Sequence, residues 1–399
     1  MNCKITNSKL DPFMSFGKMP LANGFITKDQ FDSEFFFEMN VCFNEDLSLL
    51  QLGNHPNPEK MFNIDYPFYT SSSKTMIKHF SEYANWIKKN FLHEGSKLIE
   101  IGSNDGTLLN NFKNTAVDFL GFEPSETIAQ LANDNGIKTI NSFFCKKEID
   151  KINEFKVNTD VICASNVICH IPNLSDTIEA VDKLLSNKGI FVFEEPYLGS
   201  MFDKTSYDQI YDEHIFIFSV NSVKKIFNLF DFDLIDVIPQ NTHGGSMRYV
   251  VARKGKNEIK SSVKKYVEKE NQLNYDNIKS CLDFKLNCEN SKKKTIDLLN
   301  QFKKEKKLIC GYAATSKSTT ILNYCGIDTN VIDFICDTTK QKIGKYSPGM
   351  HIPIVCTSEF QGRSPDIAYL FAWNHKDEIL KKETKFLERG GKWFSHVEI

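Results

Sequence analysis

A chain of 399 residues is too long for one ordinary hydrophobic core, so two or three domains are expected. Hydrophobic residues make up 41% and charged residues 25%, a globular balance, and a net charge of −2 with a pI near 6.5 argues against nucleic acid as partner. No apolar run is long enough to span a bilayer, the N-terminus has no signal-peptide core, and the 11 scattered cysteines read as free thiols of a reducing, cytoplasmic compartment.

Residues 1–73 carry turn clusters such as Gly53-Asn54-His55-Pro56-Asn57-Pro58 between short apolar segments, and predict a small irregular module. From Lys74, apolar residues at 76, 80, 83, 84, 87 and 91 recur with helical spacing. Strands and helices then alternate. Strands are predicted at Lys97–Gly102, Val117–Glu123, Lys138–Ile140, Asp160–Ala164 and Gly189–Glu194, with helices from Leu108 and about Ser125. Alternation of this kind predicts a parallel, doubly wound α/β sheet. Residues 256–307 are rich in Lys, Asn and Glu and predict one or two exposed helices carrying solvated charge. A second α/β unit begins at Lys307, with a strand near Ile367–Ala372 and a final helix Lys376–Leu387. The expected domains are therefore 1–73, 74–255 and 256–399.

The run Glu100-Ile-Gly-Ser-Asn-Asp-Gly106 lies where a strand turns into a helix. A dinucleotide site needs G-x-G-x-x-G so that backbone can approach a pyrophosphate. Here Gly102 and Gly106 are separated by Ser103, Asn104 and Asp105, and an acid in the turn repels a pyrophosphate. It suits a ligand bearing an ammonium and a sulfonium, namely S-adenosylmethionine (SAM). Glu123, closing the second strand, stands where an acid accepts hydrogen bonds from ribose hydroxyls. Asn166 ends the next strand and faces the same pocket; Pro124, Asn141, Ser142 and Phe143 complete the expected cofactor set. The same residues also read as an ordinary Gly-Asp turn.

The segment Phe191–Ser219 begins as a buried strand, breaks at Pro196, and then sets Tyr207, Tyr211, Glu213 and His214 among large apolar side chains. Such groups are costly to bury unless paired, and the position just past a strand's carboxyl end is where α/β enzymes keep their chemistry. The alternative is a core histidine bonded to backbone.

With IEIGSNDG, GFEPS, ASNVICHIPN, FEEPYLG, YDQIYDEHIFIFS and HGGSMRYVVARKG in this order, the chain resembles the SAM-dependent nucleotide-sugar C-methyltransferases. The similarity extends from PLANGF at Pro20–Phe25 to GYAATSKSTTILNYCGI and the C-terminal AWNH. The resemblance implies an α/β fold: a class I (Rossmann-like) methyltransferase domain, a C-terminal Rossmann-like α/β domain that helps hold the sugar nucleotide, and a small N-terminal module. It implies methyl transfer from SAM to a carbon next to the keto group of a dTDP- or GDP-linked 4-keto deoxysugar. His214 is then the base, Tyr211 the donor to the developing oxyanion, Glu213 an orienting acid and His170 a second imidazole. Expected substrate contacts are Tyr66 and Tyr69, the loop His243-Gly244-Gly245 with Arg248, the turn residues Ser316 and Lys317 at a helix start suited to phosphate, and Asn374; Trp373 reads as core or site. The family's N-terminal zinc needs two C-x-x-C pairs. Here Thr6 and Glu45 stand in place of the second thiols beside Cys3 and Cys42, so no zinc is expected, and apolar packing must hold the module. Asp212 occupies a position where the family commonly has His, and is expected to point to solvent. A monomer or weak homodimer acting on neither membrane nor nucleic acid is expected. The alternatives are O- or N-methylation of a sugar, or a non-catalytic sugar-nucleotide-binding protein.

Overall fold

The computed structural model describes residues 1–62 and 69–398; Tyr66 lies outside the described residues. Among the described residues the strands form three sheets.

The N-terminal segment is not irregular. β1 (Pro12–Pro20), β2 (Phe36–Asn44) and β3 (Leu49–Leu52) form an antiparallel meander. Its strands escape a period-two reading because β1 is broken by register shifts at Pro12/Met14 and Ser15/Gly17, and because all four residues of β3 are buried. β3 is covered on its other side by β9 (Phe216–Ile217), which comes from the polar–aromatic segment far along the chain.

The central sheet contains β4 (Lys97–Ile101), β5 (Asp118–Phe122), β6 (Thr139–Ile140), β7 (Thr159–Ser165), β8 (Leu185–Pro196), β10 (Phe232–Gln240) and β11 (Ser246–Arg253), in the order β10-β11-β8-β7-β4-β5-β6. All its pairings are parallel except those of β11, which runs antiparallel between β8 and β10. Both faces are covered, so alternate residues of one strand enter different cores. Ile99, Ile162 and Phe191 pack on one side; Leu98, Val161 and Val192 meet Tyr83, Ala84 and Ile87 of the helix Lys74–Phe91 on the other.

That helix is also held by charge. Glu194 accepts from Arg248 Nε at 2.7 Å and pairs with His79 Nε2 at 2.6 Å, while the guanidinium lies 4.1 Å and 4.5 Å from the ring centres of Tyr83 and Trp86. Burial raises the Glu194 carboxyl's pKa, but His79 and Arg248 outweigh it and hold the group below the usual range. Arg248, expected at the substrate, is therefore sunk between helix and sheet.

The helices Ser261–Gln272 and Ile278–Lys304 follow, mostly with solvated charge. Glu270 departs from that expectation. It is fully buried and accepts from Val220 N, Asn221 N and the Tyr197 hydroxyl, capping the helix Val220–Asn228. The third sheet is wholly parallel: β12 (Ile309–Tyr312), β13 (Phe334–Asp337), β14 (Ile354–Cys356), β15 (Ile367–Leu370) and β16 (Lys392–Phe394), in the order β14-β13-β12-β15-β16. The single final helix expected from sequence is two, Lys376–Lys382 and Thr384–Glu388, because Glu383 leaves helical geometry to accept from the buried Tyr312 hydroxyl at 2.9 Å.

Removing the Arg248 guanidinium leaves Glu194 buried with only His79 to pair it. Arg248→Met should cost about 3–5 kcal/mol of stability, read as a lowered denaturant midpoint.

Candidate active site

In a doubly wound sheet, ligands bind beyond the strand ends where the strand order reverses. The central sheet reverses between β4 and β7, and the C-terminal sheet between β12 and β15. Loops from both reversals, with the segment after β8, line one cavity of about 550 Å³. One space thus has a wall from each α/β unit.

The cofactor half is built on the turn after β4. Gly102 has φ of 66°, and a Cβ there would overlap the Val167 side chain, so only glycine fits. Gly102, Ser103 and Asn104 line the cavity, as do Pro124, Ser142, Phe143 and Asn166. Glu123 also lines it; its carboxylate accepts from Asn104 N at 3.0 Å and Ser125 N at 2.8 Å, and burial pushes its pKa up to about 7. Asp105 does not reach the cavity. It accepts from Ser71 N at 2.9 Å and the Thr107 hydroxyl at 2.6 Å, tying down the chain ahead of the helix Lys74–Phe91. Gly106 and Asn141 likewise stand behind the wall, Asn141 donating to the carbonyls of Glu123 and Pro124. The acid that faces the cavity is Glu100, at the end of β4. It is 4% exposed, its Oε2 has no hydrogen-bond partner, and burial with Asp105 and Glu123 nearby raises its pKa well above normal. Sequence reasoning attended to the acid in the turn; period two along β4 does not reveal which strand residue ends at the pocket.

The facing half comes from the segment after β8 and the turn after β7. Tyr211, Glu213, His170 and His243 line the cavity, whereas His214 stands behind Tyr211 at 1% exposure. His214 Nδ1 lies 2.7 Å from the Gln209 carbonyl, and Nε2 lies 2.7 Å from the Tyr211 hydroxyl. A carbonyl only accepts, so Nδ1 carries the proton and Nε2 receives the tyrosine's. Burial, with His170 nearby, lowers the His214 pKa well below normal, and burial also lowers those of His170 and His243 to about 3. Burial thus keeps these three imidazoles neutral, and it also lowers the pKa of His375 on the cavity wall. His170 is set by Glu195, whose Oε1 accepts from Val167 N and Ile168 N, and burial pushes the Glu195 carboxyl up to about 7.

Asp212 does not point to solvent. It is 2% exposed and accepts from Ala22 N at 3.0 Å, while Asn23 Nδ2 donates to Glu213 at 2.6 Å. Thr319 of the C-terminal unit donates to Ala22 O at 2.8 Å, so all three units meet on this residue. Burial and the adjoining Glu213 raise the Asp212 pKa well above the usual carboxyl range.

From the C-terminal unit, Ser316, Lys317 and Asn374 line the cavity, and Lys317 Nζ lies 3.4 Å from Asn374 Oδ1. Burial lowers the Lys317 pKa, with Asp208 opposing it. Gly244 and Gly245 do not line it: Gly244 packs against the Trp373 ring, and Gly245 against Ser200. Tyr69 stays outside the wall, its carbonyl accepting from Ser72. Trp373 is held by Asp208, which takes its Nε1–H at 2.7 Å and faces His396 Nε2 at 3.1 Å. Neither Asp208 nor His396 carried a sequence signal, since their pairing spans 188 residues.

The N-terminal residues do not fit a thiolate zinc site. Thr6 exchanges a hydrogen bond with Ser8, Glu45 accepts from Ile278 N at the start of a helix, and the Cys42 sulfur meets that of Met1. Among the described residues, no group of three or more metal-ligating side chains includes Cys3 or Cys42.

A seven-stranded sheet with one reversed strand, and an acid-bearing cavity at its reversal point, define a class I SAM-dependent methyltransferase fold. Residues 3–62 match a domain family described as zinc-binding, residues 76–237 a methyltransferase domain and residues 241–397 the C-methyltransferase C-terminal domain. The C-methyltransferase NovU of Streptomyces niveus is 28% identical over 383 residues, covering 95% of this chain and 91% of that protein. The three matched domains and this relative, similar over most of its length, support a SAM-dependent C-methyltransferase. Solved structures similar to part of it include the magnesium protoporphyrin IX methyltransferase of Synechocystis PCC 6803 with bound SAH, at 14% identity and a TM-score of 0.35 over 45% of this chain and 83% of that one. The plantazolicin methyltransferase BpumL with SAH is 12% identical, with a TM-score of 0.36 over 46% and 88% of the two chains. No helix among the described residues is long and apolar enough to cross a membrane.

Glu100→Gln should weaken SAM binding at least tenfold by calorimetry, while Asp105→Asn should chiefly lower the melting temperature. Because the Glu123 carboxylate, not its acid form, best accepts ribose hydroxyls, SAM affinity should rise between pH 6 and 8, and Glu123→Gln should flatten that rise. Asp208→Asn should raise KM for the methyl acceptor about tenfold with little change in SAM affinity, separable by steady-state kinetics and calorimetry.

Proposed function

We propose that this protein methylates a carbon next to the keto group of a nucleoside-diphosphate-linked 4-keto deoxysugar through a base-generated enolate. The observation that carries this reading is the Tyr211–His214 pair, a proton acceptor of fixed tautomer behind a hydroxyl at the cavity wall. An oxygen or nitrogen acceptor already holds the lone pair it needs. A carbon acceptor must first lose a proton, and this pair is built to take one.

The geometry supports a refinement of the roles expected from sequence. Because Tyr211 separates His214 from the cavity, the α-proton passes to the Tyr211 oxygen as the tyrosine's own proton moves to His214 Nε2. The Gln209 carbonyl then stabilises the imidazolium through Nδ1. Tyr211 is thus occupied as a relay, and the enolate oxygen needs another donor. His170 suits it: it lines the cavity, a turn of its ring would bring the buried, unpartnered Nε2 to the substrate, and a neutral imidazole polarises a carbonyl without adding a fixed charge. Bound SAM supplies the electrophilic methyl. Gly102 and Asn166 shape its side of the cavity, and its ammonium would draw the buried Glu100 carboxyl into the charged form and pair with it.

A second cavity of about 250 Å³ shares Asn23, Glu213 and Lys342 with the first, and its wall includes Lys60 and Lys345. With Lys317, these lysines favour an acceptor that carries a diphosphate along this path.

Incubation with methyl-labelled SAM and a panel of nucleotide-linked ketosugars should place the label on carbon; an O-methyl or N-methyl product would contradict the proposal. His214→Asn should lower turnover by about 10³-fold while SAM affinity stays within about twofold, as expected for loss of a general base. Unchanged turnover would remove His214 from the proton path.

A further inference from the structure

The imidazoles of the active site have a neighbour that proton transfer does not use. Cys169 lies beside His170 in the short turn Ile168–His170 after β7 and is fully buried. Cys169, His170 and His214 each offer one ligand atom, and these atoms lie within 4.8 Å of one another. Among the described residues it is the one such group. The rings of His170 and His214 stack with centres 5.3 Å apart, and His170 Nε2 is shut from solvent with no hydrogen-bond partner.

One thiolate and two imidazoles are a borderline-soft set that favours zinc and its neighbours over magnesium or calcium. In a tetrahedral zinc site, ligand atoms stand roughly 3.5 Å apart, so the three must draw in by about 1 Å, which side-chain rotation can supply. Of the three residues His170 lines the cavity, so a water for the fourth position enters from its side. His214 is the constrained member. Its Nδ1 faces a backbone carbonyl, whereas Nε2 faces the Tyr211 hydroxyl, which a metal would have to displace. A metal at Nε2 therefore breaks the Tyr211–His214 hydrogen bond.

We propose that Cys169, His170 and His214 form a site for a soft divalent cation of the zinc class, and that occupying it stops methyl transfer by taking both imidazoles. Binding forms the metal–sulfur bond as the Cys169 thiol releases its proton to solvent; nothing is oxidised or reduced. The inhibitory effect rests on the function proposed above, whereas the binding does not.

The test uses the full chain, freed of metal by a chelator and titrated with Co²⁺ as a spectroscopic probe. One equivalent should bind with a thiolate-to-cobalt absorption band and the visible bands of a tetrahedral ion. Cys169→Ala and Cys169→Ser should lose the thiolate band, whereas Cys42→Ala should keep it. Zinc should inhibit the native chain at least tenfold more strongly than either Cys169 variant. Absence of the band, or its survival in both Cys169 variants, would overturn the site. A Cys169-dependent band without inhibition would overturn the claim that the metal blocks turnover, while leaving the binding intact.

Discussion

A carboxylate can be buried only where hydrogen bonds or opposite charge replace its water, and the segment from the end of β8 to the helix Val220–Asn228 is positioned by that constraint. Glu194 draws in the helix Lys74–Phe91 through His79 and also binds Arg248. Glu195 fixes the turn that carries His170. Asp208 takes Trp373 and His396 from the C-terminal unit, and Asp212 takes Ala22 from the N-terminal sheet. Glu270 reaches the far end of the segment from outside and caps its last helix. Each acid recruits a different element, so the loop that bears Tyr211 and His214 is held from several directions. Loss of one partner leaves an uncompensated buried charge, which makes the arrangement specific as well as stable.

The same burial sets the electrostatics of the cavity. His170, His214 and His243 are all kept neutral by desolvation, so each can donate or accept a proton without bringing a charge of its own. Among the described residues, the lysines of the main cavity are Lys317, 5.0 Å from the Trp373 ring centre, and Lys342, and Lys60 and Lys345 line the smaller adjoining cavity. Acids with raised pKa values, Glu100 and Glu123, line the cavity at the ends of β4 and β5. These groups suit cationic SAM and the diphosphate-bearing acceptor proposed above.

The alternating α/β plan was legible because apolar runs of strand length ended in glycine turns followed by helical spacing. The N-terminal sheet was not legible. Its first strand is bulged, its third is buried on every residue, and its fourth strand, β9, lies more than 160 residues further along. Among site residues, motif order brought attention to Tyr211, Glu213, His170 and Lys317, which do meet at the cavity. The departures have a common cause. Asp105, Arg248 and Gly244 sit in the right motifs, but their directions depend on long-range partners, namely Ser71, Glu194 and Trp373. Glu100 and Asp208 were missed for the converse reason, because strand ends and buried acids acquire meaning only from what packs against them. Asp212 was expected outside for want of its distant partner, Ala22.

Carbon methylation through an enolate makes one demand that methylation of oxygen or nitrogen does not: the α-proton must come off before the methyl arrives. The direct measurement is solvent exchange in deuterium oxide, with the native chain, a nucleotide-linked 4-keto deoxysugar and SAH in place of SAM, followed by proton NMR. Loss of the signal at one α-carbon without any methyl transfer is expected, with that loss suppressed in both Tyr211→Phe and His214→Asn. A sugar that the enzyme methylates with SAM, yet whose α-protons stay unexchanged beside SAH, would contradict it.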